Sequence, residues 1–283
     1  MHTPHAQDAD VSGPTSFAQL LSLTQLSTNA YLTEPVRSGR RPLFGGQLVA
    51  QAIRAAANTV PDGRVLHSMH AYFVRPGRPR EPIVMRVQTD ADGGRYSTRR
   101  ITATQSFDIL QVSCSFVRLK EGPDFQAVTM PTVSPPDDLP DYPLDPQRLF
   151  DLEARLPEDT RPWYRWPARL WVRVREPLRD DPNDRACAMA FLSDLCTGLS
   201  RAPDVEEVGL LPSIDHAIWL HRQANPNDWM LLDLDPVTTA DCRGVYSGRI
   251  FGADGTLLAT LMQESLFDPG RGKRRPAHSA ATP

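Results

Sequence analysis

A chain of 283 residues that is 40% hydrophobic and 23% charged has the make-up of a globular protein, with length for one large or two small domains. Its formal net charge of -3 excludes a molecule that attracts nucleic acid as a whole. No apolar run is long enough to be read as a helical membrane span.

The N-terminal stretch (1–16) is polar and lacks a basic start followed by an apolar segment, so it is expected to be disordered and is not read as a secretory signal. A first folded unit is expected over 17–121. Within it the stretch 47–58 carries Leu48, Val49, Ala52, Ile53 and Ala56 at helical spacing, and Gly45-Gly46 gives flexible backbone at its start. The run VLHSMHAYFV is rich in aromatic and β-branched residues and predicts a strand. ITATQSFDILQVSCSFV predicts two extended arms around a turn at 106–108.

Proline then dominates. Pro123, Pro131, Pro135, Pro136, Pro140, Pro143 and Pro146 remove backbone donors and fix φ, so a linker is expected over 122–160. A second unit is expected over 161–268. It contains ACAMAFLSDLCTGLS, LPSIDHAIWLHRQ and GVYSGRIFGADGTLLATLMQESLF, with a hairpin signal at Ala253-Asp254-Gly255. These strings resemble those of the first unit: His70-Ala71 matches His216-Ala217, Phe73 matches Trp219, and Tyr96-Ser97 with Arg99 match Tyr246-Ser247 with Arg249. Such self-similarity predicts one α+β unit used twice, each a long helix followed by antiparallel strands.

The last stretch (269–283) is basic and rich in proline and glycine, and Arg271, Lys273, Arg274 and Arg275 read as a solvated tail. The four cysteines, Cys114, Cys187, Cys196 and Cys242, form no C-x-x-C pair, which predicts neither a zinc knuckle nor a redox motif and suits a reducing cytoplasm.

Five strings taken in order, FGGQLVAQA, HSMHAYFVRPG, FLSDL, SIDHAIWLHR and LMQES, resemble the type II acyl-CoA thioesterase family over nearly the whole chain. The resemblance implies a double hotdog, in which two curved antiparallel sheets each wrap one long helix. It implies hydrolysis of acyl-CoA thioesters to fatty acid and coenzyme A, with no metal, no cofactor and no covalent intermediate. It also implies a homo-oligomer. The family's catalytic positions fall on Asp194 in FLSDL, Ser213 in PSIDHA and Gln263 in LMQES.

The residues support that assignment independently. Asp194 is expected in a helix beside Phe191 and Ala190, and a carboxylate among apolar neighbours is costly unless it is hydrogen-bonded. Gln47 is expected at the matching place in the first unit. Gln263 lies on a strand over 257–267 with Ser113 as its expected counterpart. Ser213 opens a strand outside any G-x-S-x-G elbow, so it is expected to orient a water and not to attack. Gly45, Gly46 and Gln47 are the expected oxyanion and substrate contacts. His70 and His216 are weighed as substrate contacts against plain repeat symmetry, with His216 as a second layer behind the site. Trp163, Tyr164 and Trp166 are expected either to line an acyl tunnel or to pack under the linker. Two other functions fit the same strings: a hotdog hydratase or dehydratase using His216 with Asp194, and a non-catalytic acyl-CoA binding module.

Overall fold

The computed structural model describes residues 16–34, 42–144, 152–157, 167–202 and 212–266. The termini expected to be disordered, the basic run at Arg271, Lys273, Arg274 and Arg275, and the aromatic group Trp163, Tyr164 and Trp166 lie outside these residues. No helix among the described residues is long and apolar enough to cross a membrane.

A short helix α1 (Phe17–Leu20), capped by the Ser16 hydroxyl, leads into the hairpin of β1 (Leu23–Ser27) and β2 (Ala30–Thr33). Helix α2 (Gly45–Ala57) is buried along almost its whole length, as a helix enclosed by a sheet on one side and a helix on the other must be. Strands β3 (Val65–Phe73), β4 (Val84–Asp92), β5 (Tyr96–Thr104) and β6 (Asp108–Val117) curve around it. The plan then repeats with β7 (Leu152–Arg155), β8 (Arg169–Val174), α3 (Pro182–Leu192), β9 (Asp215–Leu220), β10 (Met230–Ala240), β11 (Arg243–Gly252) and β12 (Leu257–Leu266).

The strands form one antiparallel sheet of order β1-β2-β4-β5-β6-β3-β9-β12-β11-β10-β8-β7. Followed from either edge to the centre, the two halves have the same strand order, so the fold is the expected double hotdog. The halves join where β3 pairs with β9, Ala71 lying opposite His216. Helices α2 and α3 pack antiparallel in the interior. At one end Arg54 of α2 bonds Asp181 at 2.9 Å and Asp184 at 2.7 Å at the start of α3. At the other end Gly46 reaches Asp194, just beyond α3.

Three expectations about the repeat are corrected by strand register. His70 is exposed and His216 buried, Tyr96 is exposed and Tyr246 buried, and Ser113 is exposed while Gln263 is buried. These pairs face opposite sides of the sheet and are not equivalent, because a one-residue slip along a strand exchanges its faces. The bulge at Ala103/Thr104 in the β5–β6 ladder and that at Ile250/Phe251 in the β11–β12 ladder fix the correct register. They align Arg99 with Tyr246 and Cys114 with Gln263, and the next ladder aligns Met69 with His216. Gln47 is also not the counterpart of Asp194. Gln47 lies in the first turn of α2, whereas Asp194 lies two residues past the end of α3, where α2 has Thr59.

Strand β7 falls inside the proline-rich stretch 122–160 and pairs with β8, so that stretch carries the edge strand of the sheet's second half. Ahead of it the chain crosses the outer face of that half. Val128, Met130, Val133 and Leu139 pack there against Trp171, Trp229, Leu231, Phe251 and Leu257, and Trp171 Nε1 donates to Ser134 O at 3.0 Å. The proline-rich segment thus seals an apolar sheet face that the interior helices do not reach.

Candidate active site

Helix α3 begins at the cap Asp181 with Pro182 in its first turn, where the missing N–H costs nothing. Its far end tightens: Asp194 N–H bonds Phe191 O and Leu195 N–H bonds Leu192 O, each three residues back. Asp194 therefore sits in the tight turn that ends the helix and not within the helix as expected.

From that turn the carboxylate meets the start of α2. Oδ2 accepts from Gly46 N–H at 2.7 Å. The first N–H groups of a helix have no partner within it, and the helix dipole favours negative charge there. Two glycines make the approach possible. A Cβ on Gly45 would stand 2.7 Å from Asp194 Oδ2, and one on Gly46 would stand 2.6 Å from Phe191 O.

Strand β12 supplies Gln263 on its inward face, only 3% exposed. Its Nε2 donates to Asp194 Oδ1 at 3.0 Å and to Ser213 Oγ. Ser213 is held just before β9 by an isolated bridge to Ser265, which brings it beside the β12 strand. Acid, hydroxyl and amide, expected from three separate strings, therefore meet at one point.

Behind them lies His216. Its Nδ1 is 2.5 Å from Gln263 Oε1 and its Nε2 is 2.8 Å from Ser193 Oγ. Burial pushes the imidazole below its ordinary value of 6.5, and the nearby charge of Asp194 and the Gln263 hydrogen bond only partly oppose this. His216 is neutral at pH 7 as a result.

Asp194, Ser213 and Gln263 line a cavity of about 580 Å³, together with Gly45 and the apolar side chains of Leu43, Phe44, Leu48 and Phe73. Of the other expected contacts, Gly45 reaches the cavity and Gly46 and Gln47 do not: Gly46 N–H faces Asp194, and Gln47 Nε2 donates to Gln51 Oε1 at 3.4 Å inside the core. His70 projects from the outer sheet face, its ring 5.0 Å from that of Trp219, away from the cavity. His216 is one layer behind the wall. The cavity also includes Tyr246 and Cys196, which sequence reasoning did not single out. Burial pushes the Cys196 thiol up, which leaves it protonated and a poor nucleophile. Ser193 was missed too, although a serine directly before Asp194 at the end of an apolar run was the available signal.

The equivalent row of the first unit has Met69, Cys114 and Arg99 where the second has His216, Gln263 and Tyr246, and Thr59 in place of Asp194. Thr59 Oγ1 there accepts from buried Arg99 at 2.9 Å. One repeat places a carboxylate and an amide there, and the other fills that position with the Arg99–Thr59 contact. A carboxylate, a hydroxyl and an amide around an apolar-walled cavity suit activation of a water against an acyl group.

Comparison with known proteins points the same way. Residues 32–118 match the family model described as the acyl-CoA thioesterase N-terminal domain, and residues 128–267 match its C-terminal domain. The chain is 33% identical to acyl-CoA thioesterase 2 of Haemophilus influenzae, over 88% of this chain and 95% of that one. It is 31% identical to human acyl-coenzyme A thioesterase 8, over 80% of each. Among solved structures, an acyl-CoA thioesterase II from Mycobacterium marinum superposes with a TM-score of 0.76 at 30% identity, covering 92% of this chain and 99% of that one.

Proposed function

The chain belongs to the type II acyl-CoA thioesterase family, and on that premise we propose that Asp194, Ser213 and Gln263 carry its hydrolysis of acyl-CoA thioesters. The chain is a thioester hydrolase, so its substrate offers an activated carbonyl and a thiol leaving group. The observation that carries the assignment is the Gln263 amide, which binds Asp194 and Ser213 together at the cavity wall.

Asp194 accepts a proton from a water held beside Ser213, and the water oxygen attacks the thioester carbon. The tetrahedral oxyanion collapses, the C–S bond breaks, and the thiolate of coenzyme A takes the proton back from Asp194. Gly45, at the cavity wall and at the start of α2, is the backbone donor that suits the oxyanion, because Gly46 N–H is already engaged with Asp194. The apolar walls suit the acyl chain. A hydratase using His216 is not supported, since that ring stands behind Gln263 and does not line the cavity.

Two further proposals concern its setting. Tyr72, Trp219 and Met262 are exposed on the outer face of the central strands, which supports self-association through that face. Free thiols at Cys114, Cys187, Cys196 and Cys242 support a cytoplasmic location.

The test is thiol release by the purified protein over a ladder of saturated acyl-CoA lengths. Steady release without an initial burst is expected. Binding without release would favour a binding module, and turnover confined to enoyl-CoA would favour a hydratase.

A further inference from the structure

The Gln263 side chain can sit in its slot in two ways that differ by a half-turn of the amide. Only one of them suits the site. A carboxylate only accepts hydrogen bonds, and Asp194 already accepts from Gly46 N–H at Oδ2. The amide atom 3.0 Å from its Oδ1 is therefore the nitrogen. That turns the amide oxygen toward His216 Nδ1, 2.5 Å away, and an oxygen there requires a proton on Nδ1. With His216 neutral, Nε2 carries the lone pair and shares the one Ser193 hydroxyl proton with Ala190 O, each 2.8 Å from Oγ. The Ser193 backbone that fixes this hydroxyl lies in the same tight turn as Asp194.

We propose that His216 is a positioning residue: its Nδ1–H locks the Gln263 amide with nitrogen toward Asp194 and Ser213. The inference rests on the proposed function and deepens it, since it names what sets the catalytic amide. The flipped amide would turn Oε1 against the Asp194 carboxylate and Nε2 against Nδ1–H, two repulsive contacts. Where the first unit carries Met69 in place of His216, it carries Cys114 in place of Gln263, so the ring and the amide occur together and are absent together.

Two measurements test the proposal. In the unaltered protein, ¹⁵N NMR of labelled histidine should show His216 protonated on Nδ1 and bare on Nε2. The opposite tautomer would mean a flipped amide and would overturn the proposal without any variant having to fold. The second is a double-mutant cycle on kcat. His216→Leu should lower kcat by ~10–100-fold, the scale of a misplaced catalytic group, with KM little changed. His216→Asn, which keeps a donor near the Nδ1 position, should recover most of that loss. In a Gln263→Ala background, His216→Leu should cost nothing more. Equal losses in both backgrounds would reduce His216 to a packing role. Full activity in Gln263→Ala alone would instead refute the proposed catalytic set, so the two failures are told apart.

Discussion

The backbone N–H of Gly46 lies 2.7 Å from Oδ2 of Asp194, so the first turn of a helix in one half of the chain holds the acid supplied by the other. Asp194 Oδ1 meanwhile accepts from Gln263, which leaves the carboxylate fixed at both oxygens. As the proposed base, a carboxylate held this way needs no reorganisation when its proton arrives.

Asp194→Asn keeps the size of the side chain but places an amide between two donors, Gly46 N–H and Gln263 Nε2. One of its ends must then face a donor with a donor. Loss of the proton acceptor should lower kcat by ~10²-fold or more. Circular dichroism and gel filtration should show a folded protein. Turnover at the unaltered rate in that folded variant would remove Asp194 from the mechanism.

Ser213, proposed as an orienting hydroxyl, is bound by Gln263 and bridged to Ser265. Ser213→Thr retains the hydroxyl and should keep substantial activity. Ser213→Ala removes one hydrogen bond, worth roughly 0.5–3 kcal/mol depending on the charge of its partner. A partial defect follows, and stopped-flow thiol release should show no burst. A burst with acyl mass trapped on Ser213 would reverse this order of roles.

Gly45→Ala tests the contact of α2 with the acid. The new Cβ would lie 2.7 Å from Asp194 Oδ2 and 2.9 Å from the Phe73 ring, both inside van der Waals distance. The carboxylate must shift, so kcat should fall by ~10-fold or more. Gly94→Ala, with nothing within 4 Å of the added carbon, is the matched control and should leave kcat unchanged.

Stability should depend on pH through three histidines. Burial lowers the folded-state values of His67, His216 and His221 below 6.5. Each binds its proton more readily when unfolded, so stability rises with pH between the folded value and 6.5 and is complete above it. Chemical denaturation midpoints should therefore drop as pH is lowered from 6.5. The His216→Asn variant should show a shallower drop. Asp181, lowered in the folded state chiefly by its hydrogen bonds to Asn183 N–H and Arg54 against the opposing effect of burial, loses its contribution only at more acid pH, below 3.8.

The three side chains that meet at the cavity were legible because each stands in a local string whose chemistry is unusual: an acid among apolar residues in FLSDL, a serine after proline in PSIDHA, an amide on an apolar strand in LMQES. That one α+β unit is used twice was legible from repetition. The pairing between repeats was not. His70 with His216 and Tyr96 with Tyr246 align well as letters, yet each pair straddles the sheet, because facing is decided by bulges such as that at Ile250/Phe251. Nor does any string show that Gly46 and Asp194 touch. That contact depends on how α2 and α3 pack, a long-range property with no local signature.

The pairing of β3 with β9 has a consequence for how the molecule can be taken apart. A first half produced alone would carry Gly46 with no acid to bind, and a second half alone would carry Asp194 with no helix start beneath it. Each would also expose a long unpaired edge where its twin should be. Severed in the 118–127 stretch, which forms neither strand nor helix, and produced together, the halves should recombine along that edge, and turnover should return in proportion to the reassembled pair. The enzyme is in this sense an obligate heterodimer whose two subunits share one polypeptide.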